Sequence, residues 1–203
     1  MLRDRPPLTR KELEALTQGG LSLEPRFESR PGSSFAGLPC LNSAGRNRIP
    51  RLWSAFLPRM GEIEGSADLS TFGIYIYNFS ADREAIGEDF SFCYFAAMEL
   101  APADGTGRGS AAPPGEAAFG GEPPLPSLPT GMEVLRLEAA DYAVFEHRGF
   151  LRDLGSTYRY IYKTWFPRQG AELAPAPFFE RRGPDYPGDR PGALTEIWIP
   201  IRS

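Results

Sequence analysis

Histidine is almost missing from this chain and cysteine is scarce: His147 stands alone, with Cys40 and Cys93, among 203 residues. A lone imidazole leaves no set for a His-based zinc site and none to spare for a Ser-His-Asp triad. Two cysteines build neither a disulfide framework nor a metal spacing, so free thiols of a reducing cytoplasm are expected, with no metal and no cofactor. No apolar run approaches the ~18–20 residues of a membrane span. The N-terminus also lacks the apolar core of a secretory signal. These absences predict a cytoplasmic chain with no membrane partner. Positive charge is short too: 22 Lys and Arg against 26 Asp and Glu give a net charge of −4. Without a basic footprint, and with no helix-turn-helix in the sequence, no direct nucleic-acid binding is expected.

Aromatic rings are what the chain has in quantity, at 12% of its residues. They mark an internal repeat. Leu52-Trp53-Ser54-Ala55-Phe56-Leu57-Pro58 and Ile161-Tyr162-Lys163-Thr164-Trp165-Phe166-Pro167 share one pattern of aliphatic, aromatic, small or polar pair, aromatic, apolar, proline. On a helix the two aromatics fall on one face, and the proline ends or bends it. A duplicated module with a pseudo-twofold axis is the simplest account, and a groove between its halves suits a flat organic ligand.

The chain divides accordingly. Residues 1–23 form a polar tail with a short helix, signalled by the capping-box pair Thr9 and Glu12 and stopped by Gly19-Gly20. Residues 24–100 form the first module, opening with a hairpin on Pro31-Gly32. Its helix starts near Asn47 with Ile49, Leu52, Trp53, Phe56, Leu57 and Met60 at helical spacing, and strands follow over 72–79 and 90–100. In residues 101–130, Ala, Gly and Pro fill 19 of 30 positions, so this segment reads as a linker unable to offset its ordering entropy. Residues 131–203 form the second module: a hairpin over 132–138 and 141–147, a helix that stops before Pro167, a strand opening at Phe178, and a last strand from Leu194 to Ile201. The predicted class is α+β, a tandem of strand-helix-strand-strand modules with antiparallel sheets and two helices around a central cleft.

Charged residues inside apolar strands are the candidate chemistry. Glu196 lies in Leu194-Thr195-Glu196-Ile197-Trp198-Ile199, where alternation puts it on one face with Trp198. A desolvated carboxylate needs compensation, from a bound cation, an internal arginine or a ring N–H or O–H. Glu99 and Glu180, at strand ends, either line the same groove or are solvated. Trp53, Phe56, Tyr162, Trp165 and Phe179 are either core or cage. Tyr75 and Tyr77 alternate against Ile74 and Ile76, and look into the groove or into water if those aliphatics meet the helices. Carboxylate and indole together suit an organic cation.

Several segments carry a family resemblance: LPTGMEVLRLEAADYAVFEHRG, TYRYIYKTWFP, FFERRGPDYPG and TEIWIPI, with IPRLWSAFLPRMGEI, TFGIYIY and FSFCYFAAMEL in the first half. Together they resemble the GyrI-like domain, the effector-binding domain of AraC- and MerR-type transcription regulators that also stands alone in gyrase-inhibitor-like proteins. The resemblance implies paired modules around a cleft. It also implies a buried glutamate on the last strand, matching Glu196, with Trp198 and Trp53 around lipophilic cations. The implied function is binding of hydrophobic, cationic or polyaromatic small molecules for sensing or sequestration. The alternative is hydrolysis of strained electrophilic natural products, with Glu196 and Glu180 or Glu99 as acid and base. A protein partner reached by the basic tail (Arg3, Arg5, Arg10, Lys11) ranks last.

Overall fold

The computed structural model describes residues 8–18, 21–43, 46–76, 91–102 and 128–202. Tyr77, Arg3, Arg5 and nearly all of segment 101–130 lie outside the described residues. A short helix, α1 (Arg10–Gln18), precedes strands β1 (Arg26–Arg30) and β2 (Ser33–Ser43). Helix α2 (Ile49–Phe56) continues as a 3-10 turn over Leu57–Glu62, and β3 (Thr71–Ile76) and β4 (Ser91–Glu99) follow. The second half repeats the order: β5 (Glu133–Leu137), β6 (Ala140–Arg148), α3 (Leu154–Tyr160), β7 (Phe178–Arg182) and β8 (Leu194–Ile201). The α+β class is as expected.

All strands among the described residues join one antiparallel sheet of eight in the order β1-β6-β8-β7-β3-β4-β2-β5. The order reads alike from both ends once the halves are matched, with a pseudo-twofold axis between β7 and β3. The two expected hairpins do not form. Strand β1 leaves its sequence neighbour and pairs with β6, while β5 leaves β6 and pairs with β2. Pro31-Gly32 and Glu138-Ala139 are therefore corners where the chain crosses from one end of the sheet to the other. At the Gly32 corner a β-carbon would stand 3.4 Å from the Leu137 carbonyl. Two-residue crossings are possible only if the ends of the sheet meet, so the sheet must curl.

Curling gives the sheet an inner and an outer face. The inner face is filled by Phe35, Phe72, Ile74, Phe95, Tyr142, Val144, Phe179 and Trp198, all buried. On the outer face α2 covers Ala36, Ala96 and Met98 through Phe56, and the α3 region covers Phe145, Ile197 and Ile199 through Ile161 and Trp165. Pro39 sits in β2 beyond the reach of β5, and Pro200 sits in β8 beyond the reach of β7, so neither breaks a ladder on its open side.

Both helices depart from their expected ends. Arg48, not Asn47, is the N-cap of α2, although the Asn47 side chain still accepts the Ile49 N–H at 3.1 Å. The second helix does not stop before Pro167. It widens into a π turn over Ile161–Trp165, where the Phe166 N–H reaches Ile161, and runs on as α4 (Phe166–Gln169) to Gly170. Proline lacks an N–H and crowds the carbonyl four residues back, and the wider turn relieves that crowding. In the tail helix Thr9 and Glu12 exchange bonds at 2.8 and 3.3 Å, and Arg159 holds Glu12 at 2.9 Å, docking α1 on α3, while the expected stop at Gly19-Gly20 lies outside the described residues.

The closest backbone approach is at Gly37, between β4 and β5, where a β-carbon would stand 2.0 Å from the Ala96 carbonyl oxygen. Backbone cannot yield there as a side chain can. Gly37→Ala is expected to destabilise the fold by about 1–3 kcal/mol or more, read as a lower urea midpoint at unchanged slope.

Candidate functional site

The seam between the halves lies where β3 and β7 run side by side on the outer face, between α2 and α3. Register sets what meets there. Gly73 opposes Glu180, Tyr75 opposes Phe178 and Thr71 opposes Arg182. Strand β4 adds Tyr94 beside Tyr75, α2 adds Trp53, and the α3 region adds Tyr158 and Tyr162, one helical turn apart.

Glu180 is the centre of this group, 3% exposed. Its Oε1 accepts the Tyr75 hydroxyl at 3.0 Å and the Tyr158 hydroxyl at 2.9 Å, and its Oε2 accepts from Arg182 at 2.8 Å. The alternative that Glu180 is a solvated strand end is thereby overturned. Arg182 lies over the Trp53 ring at 4.9 Å, so one guanidinium joins the carboxylate of β7 to the indole of α2. The Trp53 indole N–H donates to Tyr94 Oη at 3.0 Å, and that oxygen occupies the space a side chain at Gly73 would need, 2.1 Å from its ideal β-carbon. Tyr75 stacks on Phe178 at 4.3 Å and meets Tyr94 edge-on at 4.8 Å. The seam is closed on its own rings. A hollow of about 660 Å³ lies elsewhere, on the flank of α2, bounded by Cys40, Leu52, Ala55 and three arginines.

Burial sets the charge states. Desolvation first, and then the Glu180 carboxylate, push the Tyr158 hydroxyl well above its ordinary range; the same two causes raise Tyr94. Both stay protonated. Burial alone would lower Arg182, but Glu180 and then the surrounding tyrosines raise it overall. The site is a neutral ion pair set among rings.

The other carboxylates lie on the opposite face of the sheet. Glu196 is 9% exposed and shares the inner face with Trp198, as alternation predicted. It is compensated internally: Arg26 at 2.6 Å, Arg181 at 3.1 Å and the Trp198 N–H at 3.2 Å. Burial would raise its pKa, but Arg181, Arg26 and Trp198 hold it below the usual range. Glu99 is also on this face, bound by Arg30 at 2.5 Å, and Arg30 lies over Phe35, Phe72, Phe179 and Trp198.

The sequence-predicted residues thus separate into groups. Trp53, Tyr75, Tyr162 and Glu180 come together at the seam. Glu196, Trp198, Phe179 and Glu99 gather on the inner face, while Phe56 and Trp165 are core. The aliphatic face of β3 does not meet the helices, the condition on which Tyr75 would have turned away from them: Ile74 enters the curl, so Tyr75 faces the helices. Sequence reasoning passed over Tyr158, Phe178, Tyr94 and Arg182 as site residues. Two of these carried a signal: Tyr158 is one turn before Tyr162, and Arg182 is two residues beyond Glu180 on the same strand face. His147 is structural, its Nε2–H donating to the Phe150 carbonyl at 3.1 Å and leaving Nδ1 to accept the Thr157 hydroxyl at 2.8 Å.

The raised Tyr158 pKa has a measurable sign. A tyrosine ionises near pH 10 in the unfolded chain and higher in the fold, so its stabilisation is intact below pH 10 and lost as pH climbs toward the folded value. The urea midpoint should fall from about pH 10 upward. Tyr158→Phe should start about 1 kcal/mol less stable at neutral pH and show a shallower alkaline fall.

Comparisons with known proteins agree with this architecture. The chain is 26% identical over 182 residues to the transcriptional regulator BrlR of Pseudomonas aeruginosa, and it spans 89% of its own length and 56% of that regulator. A crystal structure of a putative bacterial transcription regulation protein from Staphylococcus aureus MU50 superimposes with a TM-score of 0.59 at 15% identity, covering 90% of this chain and 100% of that one. The structure of SAV2435 bound to tetraphenylphosphonium gives 0.58 at 17% identity, over 89% and 94% of the two chains. Likeness at that identity speaks for the fold. The model of the GyrI-like small molecule binding domain matches residues 23–202, and the chain belongs to that family.

Proposed function

We propose that this domain takes its small molecule at the seam, as a hydrophobic, ring-bearing compound whose cationic or donor end meets Glu180, for sensing or sequestration. The observation that carries this reading is one buried carboxylate reached by two tyrosines, an arginine and, through that arginine, a tryptophan of the opposite half. Desolvated charge beside aromatic faces is what recognition of an organic cation uses. SAV2435 was solved with such a cation. A ligand enters here by parting rings that now pack on each other.

Binding is favoured over turnover by the way Glu180 is held. Both of its oxygens already accept hydrogen bonds, one of them from two hydroxyls. A carboxylate engaged on both oxygens is a receptor for donors and is poorly free to activate water.

Tetraphenylphosphonium titrated against intrinsic tryptophan fluorescence tests the reading, since Trp53 and Trp198 stand on opposite faces. Trp53→Phe should remove most of the quench. Glu180→Gln should weaken binding roughly tenfold or more, the scale of a charge-assisted contact, and Glu196→Gln should leave it within about twofold. The reverse ranking of the two glutamates would move the site to the inner face.

A further inference from the structure

Arg182 reaches both halves of the seam. It is 5% exposed, two residues beyond Glu180 on β7 and opposite Thr71 of β3. It donates to Glu180 Oε2 at 2.8 Å, and its guanidinium carbon lies 4.9 Å from the centre of the Trp53 ring. Those are the two contacts an organic cation would make at this place, charge against the carboxylate and charge against the face of the indole. The other Glu180 oxygen is already taken by the Tyr75 and Tyr158 hydroxyls. A cation that touches both Glu180 Oε2 and Trp53 therefore needs the space that Arg182 fills.

We propose that Arg182 sets the ligand preference of the seam: its guanidinium stands in for an organic cation, so a cationic ligand binds by displacing it. The inference rests on the seam being the binding site. Displacement exchanges one charge-assisted contact with Glu180 for another, so the ligand's charge brings little net gain. The rings then supply most of the affinity, and the intact protein separates a cationic ring compound only weakly from a neutral one of the same shape. Arg182 has somewhere to go. It lies 5.9 Å from the centre of the Tyr186 ring and acts on the Tyr186 hydroxyl, and the exposed Asp189 acts on that hydroxyl too. A guanidinium leaving Glu180 thus meets a hydroxyl and a second carboxylate beside the seam. A lysine would hold the place less firmly, since its ammonium pairs as a point charge and has no flat face to lay on the indole.

Matched probes isolate the charge. The cation naphthalen-2-ylmethylammonium and the neutral naphthalen-2-ylmethanol share one ring system and differ in the polar end. Calorimetric titration of the intact protein should give affinities within about threefold of each other. In Arg182→Met the ratio of ammonium to alcohol affinity should rise roughly tenfold or more, because Glu180 is left without its internal cation. In Arg182→Lys, which keeps the charge and so protects the fold, the ratio should rise about threefold. Should Arg182→Met fail to fold, the lysine variant and the intact protein decide alone. The proposal is overturned if the intact protein already prefers the ammonium by more than that threefold margin. It is overturned equally if the ratio stays level or falls in the variants, as for an arginine that only neutralises Glu180. In those outcomes the seam still stands as a site. If neither probe nor tetraphenylphosphonium binds any of these proteins, the seam reading itself falls.

Discussion

Two crossings of two residues each, at Pro31-Gly32 and Glu138-Ala139, govern this structure. Each sends the chain from one end of the sheet to the other, because β1 pairs with β6 and β5 with β2. The halves therefore exchange their first strands, and neither half contains all of its own sheet. The exchange brings the sheet ends together, forces the curl, and leaves the middle pair, β3 and β7, running between the helices. The seam follows from the connectivity.

Curling also explains where the charges went. On the ring-filled inner face Arg30 comes from one end of the sheet and binds Glu99 near the other while lying over four rings. Glu196 is bound by an arginine from β1 and another from β7. Arg26–Glu196 and Arg30–Glu99 link strands far apart in sequence, and each carboxylate is compensated inside the protein. Removing one partner of a buried pair costs more than the pair contributes, so such contacts act to hold one arrangement of strands.

The pseudo-twofold is broken where the chemistry is. On β7 stands Glu180; directly opposite on β3 stands Gly73, and its space is filled by the Tyr94 hydroxyl under Trp53. One half supplies the carboxylate, the arginine and Tyr158. The other supplies the indole, Tyr75 and Tyr94. The repeated helices show the same division: Trp53 and Tyr162 turn to the seam, while Phe56 and Trp165, three residues later in each copy, sink into the core.

Local physics made much of this legible in the sequence alone. Helical spacing of Leu52, Trp53 and Phe56, the Thr9–Glu12 cap, strand alternation around Glu196 and Trp198, and the doubled aromatic pattern were determined by neighbours a few residues apart. Only the tertiary structure decided which strands pair, and hence which face of each strand meets the helices. Alternation says that Glu196 and Trp198 share a face and that Glu180 and Arg182 share one. It cannot say that the first pair turns into the curl and the second toward α2, because a strand has two equivalent faces until its partners are chosen. For Glu180 and Arg182 one such partner is β3, more than a hundred residues away, and the ends of the sheet are set by corners that local sequence reads as ordinary hairpin turns.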